Sequence, residues 1–196
     1  MNGELLIPLG ELCHIRSGQT FKDRLDAYAK GEVTVLLPKD IAQGKINSSA
    51  AKISATEVPQ LEKHLLRAGD IIIVNKGVRF STFIFSGDMG NVVATTAFYV
   101  ISAGEKIEPE YLFWYLNQAE AKAFLSENVQ GSVIPAITKN VLMRMPVPFV
   151  SDAKQHHVVS FLKKTANEQL VLKVLMEKKE AFKDSYIWEI IKEIAN

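Results

Sequence analysis

The chain has 196 residues, of which 47% are hydrophobic and 23% are charged, a composition that excludes a disordered or fibrous protein. Its 23 basic side chains are balanced by 22 acidic ones, both before and after residue 150. The net charge of +1 therefore does not by itself indicate nucleic-acid binding, and any charged surface must arise from local arrangement.

Cysteine content and hydropathy bear on where the protein acts. The single cysteine, Cys13, excludes an internal disulfide and favours a reducing compartment. The start of the chain is acidic and no long apolar stretch follows it, so we expect no signal peptide. The longest apolar runs, such as residues 71–74, are too short to span a bilayer. We expect a cytoplasmic protein with no membrane partner.

The composition and the hydrophobic pattern of the sequence change at about residue 150. Before that point, short β-rich runs alternate with turns, whereas residues 151–196 contain no glycine and no proline and follow a helical pattern. The sequence therefore predicts a domain over residues 1–150 and a long helix over residues 151–196.

The first region reads as short strands surrounded by short helices. In chain order we expect a helix over residues 8–15, strands over 33–37, 71–74, 80–85 and 91–101, a helix over 109–126, a loop over 131–135, and a helix capped by Thr138 and ended by Pro146 and Pro148. Because strands and helices do not alternate as βαβ units, the pattern indicates an α+β domain built on a β-rich, mixed or antiparallel sheet.

The second region reads as one helix with an apolar stripe. Asp152 is a suitable N-cap, and apolar residues recur at helical spacing. The members of the stripe are Val158, Phe161, Leu162, Leu172, Leu175, Met176, Phe182, Tyr186, Ile190 and Ile194. Such a helix extends about 65 Å at ~1.5 Å per residue, which is longer than a small domain can cover. We expect a partner helix to bury the stripe, and the alternative is that the helix folds back on its own domain.

Motifs of catalysis are missing from the sequence. It contains no glycine-rich dinucleotide or P-loop signature and no Gly-x-Ser-x-Gly elbow, and its four histidines lack metal-ligand spacing with each other or with Cys13. Glu120 and Lys122 have the spacing of a nuclease Glu-x-Lys pair, but no acidic residue on a preceding strand accompanies them. We therefore expect a chain that is not an enzyme and that binds no metal.

Two stretches carry basic side chains and no acidic ones. Residues 71–87 contain Lys76 and Arg79, and residues 128–151 contain Lys139 and Arg144. Both stretches also contain small polar side chains of the kind that contact phosphates and base edges, namely Asn75, Ser81, Thr82, Gln130, Ser132, Thr138 and Asn140. Composition alone leaves two interpretations open, a DNA-contacting surface and ordinary solvated loops.

A series of short motifs favours the first interpretation. The segments that carry it are Pro-Leu-Gly-Glu-Leu (8–12) with Ile-Arg-Ser-Gly (15–18), Val-Leu-Leu-Pro-Lys-Asp-Ile (35–41) with Gly-Lys-Ile (44–46), Leu-Arg-Ala-Gly-Asp-Ile-Ile-Ile (66–73), Pro-Glu-Tyr-Leu-Phe-Trp-Tyr-Leu-Asn (109–117), and Gly-Ser-Val-Ile-Pro-Ala-Ile-Thr-Lys (131–139) with Met-Pro-Val-Pro (145–148). In this order, and followed by a long helix, they resemble a specificity (S) subunit of type I restriction-modification systems. The likeness covers one target recognition domain and one conserved helix.

The resemblance implies a half-length S subunit. Residues 1–150 would bind double-stranded DNA, and residues 151–196 would form a spacer helix that pairs as an antiparallel coiled coil in a homodimer, giving a bipartite target. A modification (methyltransferase) subunit, which binds S-adenosylmethionine, would methylate adenine, and a restriction subunit would cleave. The chain itself would bind no cofactor. The candidate DNA-binding residues are Lys39, Gln43, Lys45, Asn75, Lys76, Arg79, Ser81, Gln130, Ser132 and Lys139.

Two other functions remain open at this stage. One is a stand-alone DNA-binding module that works without a methyltransferase. The other is a detached specificity domain related to fused methyltransferase-endonucleases. Co-purification of a methyltransferase with the chain would distinguish the S-subunit interpretation from the first of these.

Overall fold

The structure, a computed structural model, describes residues 5–21, 31–42, 45–46, 50–77, 80–131 and 134–194. The chain divides into two units, Met1–Gln155 and His156–Asn196, with the division inside a continuous helix. The boundary predicted from the sequence is residue 150. The first unit is a mixed α+β domain, as predicted.

Eleven strands and five α-helices are formed by the described residues. The strands are β1 (Leu5–Pro8), β2 (Cys13–Ser17), β3 (Val33–Leu36), β4 (Ile41–Ala42), β5 (Lys45–Ile46), β6 (Ala51–Ile53), β7 (Ile71–Val74), β8 (Thr82–Ile84), β9 (Asn91–Ala94), β10 (Phe98–Ala103) and β11 (Pro146–Phe149). The helices are α1 (Leu9–Leu12), α2 (Pro109–Leu116), α3 (Ala119–Glu127), α4 (Lys139–Met143) and α5 (Asp152–Ile194).

The larger sheet is antiparallel and has the strand order β2-β10-β7-β8. Val100, Ile72 and Phe83 lie opposite one another across three of its strands and are all buried, so each stabilises its neighbours by cross-strand packing. The same hydrophobic cluster includes Leu36 and Val92 from the second sheet. One core therefore joins the two sheets.

The second sheet has the strand order β6-β3-β9, with β3 antiparallel to β6 and parallel to β9. All four residues of β3 are buried, which agrees with the buried strand predicted from its β-branched run. Val33 and Val35 pack in a cluster with Ile53 and Val93. The parallel pairing of β3 and β9 places their C-terminal ends, Leu36 and Ala94, side by side.

The two ends of the domain meet in a separate pair of strands, β1 and β11, which are antiparallel. Pro146 and Pro148 lie within β11, so the prediction that they end a helix is wrong. Helix α4 already ends at Met143, and a two-stranded pair tolerates prolines because each strand has an edge that needs no amide donor. The predicted cap is confirmed, since the Thr138 hydroxyl accepts a bond from the Val141 amide at 3.3 Å.

The first predicted helix is shorter than expected. Only Leu9–Leu12 is helical, and Cys13–Ser17 is a strand because β10 supplies a partner, with Ile15 opposite Ile101.

Burial raises the pKa of the Cys13 thiol to about 12, so this thiol stays protonated at neutral pH.

The helix predicted over residues 109–126 is two helices, α2 and α3. The side-chain amides of Asn117 and Gln118 donate to the carbonyls of Phe113 and Trp114 at 2.8 and 2.9 Å, which satisfies carbonyl groups at the end of α2. The break changes the buried face, because α3 buries Ala121 and Leu125, whereas the helical spacing that continues from α2 would bury Ala119 and Ala123, which are exposed.

The strand predicted over residues 91–101 is also interrupted. The amide and hydroxyl of Thr95 both donate to the Leu36 carbonyl, at 3.1 and 3.0 Å, and residues 95–97 form a turn between β9 and β10. The chain thereby leaves the second sheet and enters the larger one. The strand predicted over residues 80–85 is limited to Thr82–Ile84.

A buried carboxylate connects β2, β7 and β10. Asp70 is 3% exposed, and its carboxylate accepts bonds from the Arg67 amide (3.0 Å), the Arg16 guanidinium (3.3 Å) and the Ser102 hydroxyl (2.6 Å). Arg16 also donates to the Leu65 carbonyl at 2.8 Å. Burial lowers the pKa of Arg16, and the charge of Asp70 opposes that shift.

The long helix α5 is continuous from Asp152 to Ile194. Asp152 is its first helical residue and not the predicted N-cap, because the preceding Ser151 carbonyl accepts the bonds from the amides of Lys154 and Gln155 at 2.8 and 3.0 Å. The Gln155 side chain is 1% exposed and bonds to the backbone of Lys106, Glu108 and Val150, which fixes the first turn on the domain. Among the described residues, no helix is long and apolar enough to cross a membrane.

Candidate nucleic-acid interface

Several loops meet at one end of the two sheets. Strand β10 begins at Phe98 and is antiparallel to β2 and β7, so the ends of those strands at Ser17 and Val74 lie at the same end of the sheet. The turn 95–97 connects this end to the second sheet, since Thr95 is bonded to Leu36 at the end of β3. The loops that follow these strand ends are therefore neighbours.

Asn75 joins three of these loops. Its amide donates to the Ala97 carbonyl (3.0 Å), its side-chain amide donates to the Thr96 carbonyl (2.9 Å), and its own carbonyl accepts from the Ile137 amide (3.0 Å). Asn75 is 6% exposed and its Oδ1 has no partner among the described residues. The sequence predicts Asn75 as a DNA-contacting side chain; its burial instead makes it a residue that holds the loops together.

The two acid-free stretches lie side by side. Ala136 exchanges two backbone bonds with Gln130, at 2.8 and 2.9 Å, and pairs with Lys76 on its other side. The Gly77 amide adds a bond to the Pro135 carbonyl at 2.7 Å. The side chains of Lys76 and Gln130 are both exposed, so the structure places two of the predicted contact residues on either side of one strand-like segment.

A third segment, residues 18–20, completes this end and was not predicted as part of the site. The Gln19 amide donates to the Ala94 carbonyl (2.7 Å), and the Gln19 carbonyl accepts from the Thr96 amide (3.2 Å). Gln19 is half-buried and Thr96 is exposed. No local sequence signal identifies them, because their position depends on backbone bonds between residues far apart in the chain.

The remaining predicted residues are placed as follows. Lys39 and Ser81 are exposed and Lys139 is half-buried at the start of α4. The Ser81 carbonyl accepts from the Val74 amide at 3.0 Å. Lys45 lies in β5, opposite Ala42. Gln43, Arg79 and Ser132 lie outside the described residues.

We call this surface the polar edge and define it as residues 18–20, 37–40, 75–77, 81, 95–97, 130–131 and 134–139. Its cations are Lys39, Lys76 and Lys139, and its one acidic side chain, Asp40, is 4% exposed and accepts a bond from the Leu37 amide at 3.0 Å. At the opposite end of the larger sheet, exposed side chains of both signs are mixed, with Asp88 and Glu105 beside Arg67 and Lys106. The polar edge therefore presents positive charge and uncharged polar groups, which suits an anionic ligand rich in hydrogen-bonding groups.

Residues 6–179 match the model of a protein family described as the type I restriction modification DNA specificity domain. The chain belongs to this family. The resemblance inferred from the motifs is thereby confirmed. Among curated proteins, no significant match to the chain is found.

Solved structures of specificity subunits share this fold. The chain is similar to the HsdS subunit from Thermoanaerobacter tengcongensis (21% identity, TM-score 0.62), covering 88% of this chain and 40% of that one. It is similar to a chain in a structure described as the structural basis of complex assembly and conformational transition of the type I R-M system, with 19% identity and a TM-score of 0.66, covering 92% of this chain and 43% of that one. It is also similar to the type I restriction-modification S subunit from M. genitalium, with 14% identity and a TM-score of 0.59, covering 95% of this chain and 46% of that one. The chain thus spans less than half the length of these relatives.

The second unit of this specificity-family chain is a helix with much apolar surface. Phe161, Leu172, Leu175, Met176, Phe182, Tyr186 and Ile190 of the predicted stripe are exposed, and Val158 and Leu162 are half-buried. The rings of Phe182 and Tyr186 stack with centroids 6.2 Å apart. These side chains lie along one side of α5 and form what we call the first seam.

A second row of apolar side chains lies on the other side of α5. Leu170, Val174 and Trp188 are 60%, 43% and 62% exposed. At about 100° per residue each lies roughly 160° around the helix from Leu172, nearly opposite the first seam. We call this row the second seam. Val171, Ile187 and Ile191 are also exposed and lie between the two seams. One partner helix covers only one side of an α-helix, so a helix packed on the first seam leaves the second seam exposed.

Proposed function

We propose that this chain is a sequence-specific DNA-binding specificity subunit of a type I restriction-modification system, acting as a half-subunit that dimerises on a bipartite site. The observation that carries the proposal is the polar edge, in which two acid-free stretches lie next to each other at the ends of a rigid sheet. Family membership and the shared fold support it. The chain itself would bind no cofactor and catalyse no reaction.

The chemistry of the polar edge fits a DNA groove. Lys39, Lys76 and Lys139 provide cations for phosphates, and Gln130 provides the amide that pairs with adenine edges. With three described lysines on the edge and a net charge of +1, one copy binds DNA weakly. We expect binding to strengthen when two copies act on one duplex.

Dimerisation would place two identical domains on the DNA. The first seam of α5 leaves several large apolar side chains exposed, and the same helix of a second copy buries them in an antiparallel pair. A two-fold dimer implies two identical half-sites in inverted orientation. The helix length then sets the distance between the half-sites.

The second seam is the proposed surface for the modification subunit. That subunit binds S-adenosylmethionine and methylates adenine, and a restriction subunit joins the complex for cleavage. Leu170, Val174 and Trp188 remain exposed when the first seam is covered, because they lie nearly opposite it.

Lysine substitutions test the DNA-binding proposal. The full chain is used to select duplexes from a library with a randomised central segment, and affinity for the selected duplex is measured against salt. We expect Lys76→Ala and Lys139→Ala each to weaken binding to all duplexes alike and to reduce the salt slope by about one.

The matched control is Lys106→Ala, because Lys106 is exposed beyond the opposite end of β10. This variant is expected to bind like the wild type. If neither Lys76→Ala nor Lys139→Ala changes affinity or salt slope, or if Lys106→Ala has the same effect, the polar edge is not the DNA-binding surface.

A further inference from the structure

Gln19 and Thr96 share the polar edge with the two acid-free stretches, although they lie far from both in sequence. Two backbone bonds hold the segment 18–20 on the 94–96 backbone, from the Gln19 amide to the Ala94 carbonyl (2.7 Å) and from the Thr96 amide to the Gln19 carbonyl (3.2 Å). The Thr96 carbonyl in turn accepts the side-chain amide of Asn75 at 2.9 Å. The segment is therefore connected directly to the loop that carries Lys76.

Gly18 is what allows this close approach. A Cβ atom at Gly18 would lie 2.1 Å from the Thr95 carbonyl oxygen and 2.5 Å from the Ala94 carbonyl oxygen, distances that no side chain tolerates. The Gly18 amide also donates to the Phe98 carbonyl at 3.1 Å. The backbone of Gln19 is consequently fixed against the sheet, and a fixed backbone restricts the positions available to its side chain.

The side chains of this segment have the chemistry of base recognition. Gln19, Thr20 and Thr96 are uncharged and polar, and Thr20 and Thr96 are exposed while Gln19 is half-buried. A glutamine amide pairs with both hydrogen-bonding groups of adenine in the major groove, and a threonine offers a hydroxyl and a methyl group to base edges. Neither type contributes charge, so neither adds to general attraction for phosphates.

We propose that residues 18–20 and 95–97 form a third DNA-contacting segment in which Gln19 reads an adenine and Thr96 contacts the same or an adjacent base pair. This rests on the proposed function, since it assigns specificity residues within the DNA-binding surface. It predicts that lysines of the polar edge set affinity while Gln19 sets preference for one base pair.

The test repeats the randomised-duplex selection with full-length Gln19→Ala, Gln19→Glu and Thr96→Ala variants. We expect Gln19→Ala to prefer one A·T pair in each half-site about ten-fold less strongly than the wild type does, and to select the rest of the motif unchanged. Gln19→Glu keeps the side-chain shape and is expected to shift that position towards C·G, because a carboxylate accepts a bond from cytosine. Thr96→Ala is expected to relax the same or the adjacent position.

The control is Thr56→Ala, since Thr56 is exposed near the opposite end of the second sheet. It is expected to select the wild-type motif. The inference is overturned if the Gln19 and Thr96 variants select that motif with unchanged preference at every position, or if they lose affinity uniformly. These outcomes leave the proposed function standing, whereas a wild-type chain that selects no motif rejects both.

Discussion

Individual polar side chains determine how the loops of the domain are held, and their role is visible only in three dimensions. Asn75 lies in an acid-free stretch, which makes it a reasonable sequence candidate for a DNA contact, yet its side chain is buried and bonds to Thr96. The side chain of Lys76, the next residue, is exposed. The sequence predicts which residue types occur at the polar edge. Successive side chains of an extended segment point to opposite faces, however, so only the structure shows that Asn75 faces inward and Lys76 outward.

Asp70 gives the clearest prediction for a single residue. Asp70→Ala removes the acceptor of three bonds and leaves the guanidinium of Arg16, 18% exposed, without its counter-charge. Breaking a buried ion pair by removing one partner typically costs about 3–5 kcal/mol, so we expect the free energy of unfolding to fall by about that amount. Urea denaturation of the full chain at fixed protein concentration measures the change.

Asp88→Ala is the control for this substitution. Asp88 is exposed, and its carboxylate accepts a bond only from the neighbouring Ser86 hydroxyl among the contacts described. We expect a change within about 0.5 kcal/mol. A loss of less than about 1 kcal/mol for Asp70→Ala would show that the buried network contributes little to stability.

Elements with a strong local signal are the ones that sequence predicts well. The buried runs of β3 and β7 and the cap of α4 follow from β-branched clusters, glycine turns and Thr138. Breaks inside elements are missed, because the end of α2 depends on side-chain amides and the interruption at Thr95 depends on Leu36 in another sheet. Hydrogen bonds of this kind are not reflected in the hydrophobic periodicity from which helices and strands are predicted.

The two seams of α5 give a prediction that separates self-association from binding of another subunit. Leu172→Glu with Leu175→Glu places charge on the first seam, and Leu170→Glu with Val174→Glu places it on the second. We expect the first double variant to be monomeric in analytical ultracentrifugation, because burying a carboxylate in an apolar interface is unfavourable. We expect the second to remain dimeric but to lose co-purification with the methyltransferase.

These paired variants serve as controls for each other, since each adds two carboxylates to the same helix. A wild-type chain that sediments as a monomer at micromolar concentration would contradict the dimer. Equal loss of both associations in both variants would contradict the assignment of separate seams.

The whole molecule combines a nearly neutral chain with a positively charged edge. Acidic and basic residues balance over the sequence, but the described edge carries three lysines and one buried acid, while charges of both signs are exposed at the opposite end of the larger sheet. In the proposed function, this arrangement would orient the domain on DNA without holding it tightly. Under that proposal, specificity would depend on side chains placed by the sheet, and affinity would depend on assembly.

The most direct test of this account is single-molecule sequencing of methylated adenines in genomic DNA from cells that express the chain with its methyltransferase. We expect one bipartite motif whose half-sites are identical and inverted, and we expect that motif to vanish when the chain is deleted. Adenine methylation that is unchanged by the deletion would contradict a role of this chain as a specificity subunit.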